Sequence, residues 1–230
     1  MKILAIETSC ELASLALMVG DDIIERTLEG HANHSERLLP SLRALLADAG
    51  LPLTALDALA FGAGPGAFTG LRLACGVAQG LAMGAGLGVV PVSSLAALSL
   101  QGDADDVFVA TDARMGEVYC AAYRRAGTLP HEVHAPICVP PQQVALPPGP
   151  GWYLIGSALR AHPELIDRLA AGRCSGWNAT AVPRARDVAA MAAAAVRAGA
   201  AVAPELAAPL YVRDKVALTT AERLARGGRA

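Results

Sequence analysis

The sequence predicts an α/β protein of two lobes, each built from one βββαβα unit, and three observations point there. A strand that runs into an acid, turns back into a second strand and continues into a third occurs twice, over residues 2–28 and again over 107–139. Residues 58–83, ALAFGAGPGAFTGLRLACGVAQGLAM, read as a buried strand, a glycine turn and a helix. Residues 38–49 place leucines at helical spacing, as a helix covering a sheet requires. The two copies agree in pattern, with little residue identity.

Taken in order, residues 2–7 and 13–19 read as a hairpin and residues 23–28 as a third strand. Asn33 with Glu36 makes a capping-box pattern for a helix that Pro40 should kink, with Leu38, Leu39, Leu42, Leu45, Leu46 and Ala49 on one arc. His31 and His34 at its start have metal-ligand spacing but no third ligand near them, so they read as a solvated helix end.

In the glycine stretch, residues 58–61 are the strand and Thr69 opens the helix. Glycines supply the positive φ of the turn, and backbone N–H groups at a helix N-terminus favour an anion. A Walker A loop is excluded, because Thr69-Gly70-Leu71 contains no lysine. Gly62, Gly64 and Ala67 fit G-x-G-x-x-G/A, but residues 73–100 carry no charge, so the ribose-binding acid of a dinucleotide fold is missing. The alternative is that the glycines only let helix and strand pack closely.

Residues 88–92 then read as a strand and 93–100 as a short helix; the glycines and Pro91 make the uncharged segment a buried helix–strand–helix and no membrane span. The polar run 101–106 divides lobes at 1–102 and 103–230. The second copy opens with strands at 107–111, 117–124 and 131–139. Pro140, Pro141, Pro147, Pro148 and Pro150 leave no room for a long helix after them. Residues 152–155 read as a strand, 159–171 and 185–198 as helices, and Thr219 with Glu222 as a last cap.

With 19 basic and 21 acidic residues among 230, the chain lacks the electrostatic footprint of a protein that holds nucleic acid alone. Its five cysteines, odd in number and never in C-x-x-C spacing, argue for reduced thiols in a cytoplasm over a disulfide framework or a zinc site. Glu7 interrupts the first apolar run before a signal-peptide core forms.

With these elements placed, the chain resembles the actin-like ATPase superfamily and, more closely, the TsaB family of tRNA threonylcarbamoyladenosine synthesis. The carrying motifs are residues 6–9 (IETS), 34–40 (HSERLLP), 62–72 (GAGPGAFTGLR), 112–119 (DARMGEVY) and the terminal Pro209-x-Tyr211-x-Arg213, spread over nearly the whole chain. The resemblance implies a subunit that scaffolds and activates a paralogous catalytic subunit, TsaD, helped by the ATPase TsaE, with tRNA met only inside the complex.

In that paralogue a His-x-x-x-His pair holds a metal; the matching positions here are Ser94 and Leu98, so neither the metal nor its transferase chemistry is expected. A vestigial nucleotide site would comprise Glu7, Thr8, Ser9, Gly64, Gly66, Thr69 and Asp112, with ATP or ADP bound only in the assembled complex. In ATP-splitting relatives acids at the places of Glu7 and Asp112 serve magnesium and water; the alternative is that both cap turns and that Asp112 pairs with Arg114. No evident adenine pocket accompanies them, residues 154–157 (LIGS) being the nearest candidate.

An autonomous actin-like ATPase or kinase and a Rossmann-type enzyme are the competing readings. For the helix opened by Thr69, periodicity puts Leu73, Val77, Leu81 and Gly84 on the sheet. It puts Leu71, Cys75, Ala78 and Ala82 outward, with Leu38 and Leu42 of the preceding helix beside a seam for the catalytic subunit or a second copy. The competing arrangement has the C-terminal tail folding back over that face.

Overall fold

The computed structural model of the chain describes residues 1–28, 34–170 and 173–213. In the first lobe β1 (Lys2–Glu7), β2 (Ala13–Val19) and β3 (Asp22–Leu28) form an antiparallel meander, and β4 (Ala58–Gly64) and β5 (Gly88–Ser93) add in parallel beyond β1. The sheet order is β3-β2-β1-β4-β5. In the second lobe β6 (Asp106–Arg114), β7 (Glu117–Ala126), β8 (Leu129–Val139), β9 (Trp152–Ile155) and β10 (Cys174–Asn178) give β8-β7-β6-β9-β10. Both sheets therefore run third, second, first, fourth, fifth, so the four strands of the duplicated unit recur in each, with a fifth strand added.

The period-2 alternation of β1 explains how helices cover both faces of the first sheet. Leu4 and Ile6 enter one core with Leu38, Leu42, Leu45 and Leu46 of α1 (His34–Asp48) and with Ala74, Ala78 and Ala82 of α2 (Phe68–Ala85). Helix α1 runs through Pro40 without a break, and Leu39, expected on the apolar arc, is 40% exposed. Helix α2 ends at Gly86, whose φ of 67° is the left-handed cap that glycine supplies most cheaply. Between the lobes, α3 (Ser94–Ser99) is buried throughout; Ser93 Oγ caps it by accepting from Ala96 N–H at 3.3 Å. Leu95 and Leu98 share a core with Val107, Val109 and Ala121 of the second sheet.

The second copy departs from the first where its prolines fall. A single turn of 3-10 helix, Pro141–Gln143, stands where the first lobe has α1. The expected helix over 159–171 splits into α4 (Ala158–Ala161) and α5 (Glu164–Ala170), because Pro163 draws His162 out of helical geometry, to φ −134° and ψ 74°. Strand β10, CSGWN, has no apolar alternation and pairs with β9 through an irregular register, which is why periodicity passes over it.

Chain order and lobe membership also part after residue 178. Helix α6 (Ala185–Arg197) packs Ala185, Val188, Ala189 and Ala192 on Ile3, Ala5, Ala16 and Ala60, covering the second face of the first sheet; the division at 102/103 places it in the wrong lobe. At its start Gln101 Nε2 donates to Asp187 Oδ2 at 2.8 Å, and burial pushes the Asp187 carboxyl up to about 6. Residues 202–211 stay on the first lobe, beginning with mutual 2.9 Å backbone hydrogen bonds between Val202 and Val89. Among the described residues no helix is long and apolar enough to cross a membrane; the uncharged 73–100 segment is the end of α2, then β5 and α3. The expectations for His31, Asn33, Thr219 and Glu222 lie outside the described residues.

Candidate functional site

The lobes face each other across a cleft of about 600 Å³, lined by residues 8–11, 34–35, 65–67, 69–70 and 73 of the first lobe and 111–114, 119, 157 and 160–161 of the second, with 182–183. Of the seven predicted nucleotide residues, Thr8, Ser9, Gly66, Thr69 and Asp112 line it; Glu7 and Gly64 do not. His34 Nε2 is buried beside the cleft without a hydrogen-bond partner. Sequence reasoning passed over Glu11 and Arg160, whose only signal was charge near a turn or a helix end.

Glu7 is turned into the first lobe. Its Oε1 accepts the Ser9 N–H at 2.6 Å, its Oε2 accepts the Ser94 hydroxyl at 2.8 Å, and Ser94 Oγ in turn accepts the Gly64 N–H at 3.2 Å. Full burial raises its pKa against these hydrogen bonds, which lower it. Glu7 thus caps its own turn, the alternative read from the sequence, and does not line the cleft.

Asp112 does sit at the cleft. Its Oδ1 accepts the Arg114 N–H at 2.9 Å, its Oδ2 meets Arg114 Nη1 at 3.2 Å, and Arg114 also pairs with Glu11 across the cleft. The salt bridge to Arg114 anticipated as the alternative is the arrangement present. Only the Arg114–Glu11 pair crosses between the lobes, and with both of its side chains largely exposed it holds them together weakly.

The glycines serve close approach. Ala67 N–H donates to Ser9 O at 2.7 Å and Thr8 Oγ1 to Gly70 O at 2.7 Å. A Cβ on Gly70 would stand 1.9 Å from Thr8 O, on Gly66 2.5 Å from Ser9 O, and on Gly62 1.9 Å from Glu7 Oε2. The loop is thereby clamped onto the turn after β1, which is the packing reading of the glycine pattern. At the positions matching the paralogue's metal ligands, the Ser94 hydroxyl is committed to Glu7 and Leu98 lies in the apolar core.

The predicted seam is inverted. Leu71, Cys75, Ala78 and Ala82 are 1%, 6%, 0% and 0% exposed and face this chain's own sheet and tail, while Leu38 and Leu42 are core residues under α1. The tail covers part of this side: Gln79 Nε2 donates to Ala207 O at 3.0 Å and Cys75 Sγ lies 3.5 Å from the same oxygen. All six side chains are thus occupied within one chain. In a helix apolar all round, periodicity finds two opposite arcs but not which one meets the sheet. The outward arc consists of Arg72, Gly76, Gly80, Met83 and Gly84, with Leu73, Val77 and Leu81 half-buried beside it. A Cβ at Gly76, Gly80 or Gly84 would meet nothing within 4 Å.

The family model described as TsaD, tRNA N6-adenosine threonylcarbamoyltransferase, matches residues 28–221. The tRNA threonylcarbamoyladenosine biosynthesis protein TsaB of Escherichia coli is 36% identical, over 94% of this chain and 96% of its own length. Its Bacillus subtilis namesake is 34% identical over 64% of this chain and 63% of its own. A crystal structure of an uncharacterized protein with similarity to peptidase YeaZ from Pseudomonas aeruginosa superposes with a TM-score of 0.85 at 36% identity, covering 92% of this chain and 99% of that one.

Proposed function

The chain belongs to the TsaB family of tRNA threonylcarbamoyladenosine biosynthesis proteins, and from that premise we propose that it is the non-catalytic subunit of the transferase assembly in the cytoplasm. In this reading it scaffolds and activates a TsaD-type catalytic subunit, which moves threonylcarbamoyl from threonylcarbamoyl-AMP to an adenosine beside the tRNA anticodon. The ATPase TsaE assists. ATP or ADP and tRNA are met only within the complex, and the free chain pairs with a second copy.

The observation that carries this reading is the outer arc of α2. An 18-residue helix in the outer layer of a lobe should show water a polar face, yet here Gly76, Gly80 and Gly84 form an open stripe flanked by Leu73, Val77 and Leu81, with Arg72 as its one charge. Such a stripe lets a second helix approach near the short end of the usual ~8–10 Å interaxial range. The internal engagement of Glu7 and the ion pairing of Asp112 support the same reading from the other side, since neither is poised for autonomous phosphoryl transfer.

The test is substitution on the outer arc. Gly80→Glu places a charge where nothing within 4 Å obstructs it, so the chain should keep its circular dichroism and melting cooperativity, run as a monomer and fail to bind a TsaD-type transferase. Binding equal to the wild type would move the interface off α2.

A further inference from the structure

Three of the chain's nine aromatic residues are markedly exposed, Phe68, Trp177 and Tyr211, and two of these touch each other. Phe68 opens α2 and Tyr211 lies 143 residues later in the C-terminal strap, yet their ring centroids are 5.5 Å apart while both rings remain exposed, at 41% and 49%. Arg72, one turn along α2, lays its guanidinium 3.9 Å from the Phe68 ring centroid and donates from Nε to the Tyr211 hydroxyl at 3.1 Å. It meets no carboxylate among the described residues. An aromatic pair and an arginine, exposed together, have the composition of an interface hot spot, not of a solvated surface.

The strap that brings Tyr211 there is held at both ends. Leu210 N–H donates to Ala63 O at 2.7 Å in the first lobe. Arg213, two residues beyond Tyr211, crosses to the second lobe, donating from Nη2 to the carbonyls of Ala113 at 2.9 Å and Arg114 at 3.2 Å and pairing with Glu117 at 2.7 Å. Those carbonyls belong to a turn in which Arg114 and Met115 take φ of 61° and 56°, a left-handed geometry that disfavours a residue with a side chain. The guanidinium therefore clasps a turn that its own backbone preferences would not favour.

We propose that Phe68, Arg72 and Tyr211 form a docking knob for a protein partner, and that Arg213 is the positioning residue that keeps the knob assembled. The inference rests on the functional reading above, since the knob continues the outer arc of α2 at its N-terminal end. Its occupant is a helix of the partner that carries an apolar side chain to seat against the two rings and, about one turn away, a carboxylate to satisfy Arg72. Because the knob draws on α2 and on the strap, and the strap is anchored to the β6–β7 turn, the docking surface senses how the two lobes are set. RNA fits the surface less well: one unpaired arginine gives little phosphate attraction, and the chain as a whole is acidic.

Binding of the chain to a purified TsaD-type transferase, followed by titration calorimetry, tests this, with the melting temperature of each variant measured in parallel. Tyr211→Ala and Arg72→Ala should each weaken binding about tenfold, close to 1.4 kcal/mol, with melting little changed because both side chains are exposed. Tyr211→Phe, which keeps the ring and loses only the hydroxyl, should lose less. Arg213→Ala should weaken binding by a similar factor and speed amide exchange at Tyr211 and Val212, and Arg213→Lys should recover part of both. Wild-type chain that does not bind the transferase overturns the functional reading and the knob with it. Wild-type binding matched by Tyr211→Ala overturns the knob alone, and so does an Arg72→Ala variant that keeps the transferase but loses tRNA in the assembled complex.

Discussion

The two lobes place an acid at the same point of the same unit, and the two acids have opposite surroundings. Glu7 and Asp112 each end the apolar part of a first strand, and each accepts the backbone N–H two residues on, at 2.6 and 2.9 Å. There the likeness stops. Glu7 is closed over by the glycine loop and by Ser94, whereas Asp112 stays at the cleft and is neutralised by Arg114. Repeating a fold repeats backbone geometry. It does not repeat the chemistry of a side chain, which depends on what the neighbouring loop packs over it. Here the first lobe has taken its acid into the core, while the second keeps its acid at the cleft.

The comparison is broken most forcefully at the glycines that enforce it. In the first lobe a Cβ on Gly70 would stand 1.9 Å from Thr8 O; in the second, one on Gly156 would stand 2.3 Å from Ala110 O, at a φ of 121°. Both contacts are to backbone, so Gly70→Ala and Gly156→Ala should each cost about 3 kcal/mol or more in denaturant unfolding. Gly76→Ala, in open space within a helix, should be neutral or stabilising by up to ~1 kcal/mol. Unfolding midpoints for Gly70→Ala or Gly156→Ala equal to the wild type would show that the loops do not need this approach.

A smaller effect sharpens the contrast between the acids themselves. Glu7→Ala strands the Ser9 N–H and the Ser94 hydroxyl in the core and should cost about 1–3 kcal/mol. Asp112→Ala removes an exposed pairing and should cost less than about 1 kcal/mol. Glu7 should also shape the dependence of stability on pH. Glu7 has a raised pKa in the fold, so the stability it contributes is full below its unfolded value near 4.5 and is lost as pH rises through the folded one. Asp187, raised to about 6, acts in the same direction between roughly pH 4 and 6. Wild-type stability should therefore gain as pH falls from 6 toward 4 relative to Asp187→Asn, and Glu7→Gln on that background should remove the remaining gain. A Glu7→Gln variant that follows the wild-type pH profile would place the buried proton elsewhere.

How much of this was legible in the sequence varies with the physics of each element. Apolar runs at hairpin spacing marked β1 and β2, helical spacing of leucines marked α1 and alanine-rich composition marked α6, while the duplication followed from the repeated strand–acid–turn pattern. Strand β10 was invisible because CSGWN alternates nothing and lies on a sheet edge. The break at Pro163 was legible in principle, since proline constrains the residue before it. The orientation of α2 was not: its two apolar arcs are equivalent in pattern, and only the arrival of Ala207 and the sheet decides that Ala78 and Ala82 lie inward. Charges placed at those two positions would test the core and not an interface. At the candidate site, the residue types near the cleft were legible, but whether Glu7 faced the cleft depended on Ser94, 87 residues away.

The central claim is that this chain acts through an outer surface and not through its cleft. It is tested most directly by following two signals in one set of reactions: ATP hydrolysis with magnesium by the chain alone, and threonylcarbamoyl transfer to tRNA by a TsaD-type transferase, TsaE, ATP and threonylcarbamoyl-AMP with and without the chain. The account predicts no hydrolysis above background by the isolated chain, transfer that requires it, and transfer retained by Asp112→Asn but lost in Gly80→Glu. Magnesium-dependent turnover by the chain alone that Asp112→Asn abolishes, or transfer that proceeds equally without the chain, would contradict it.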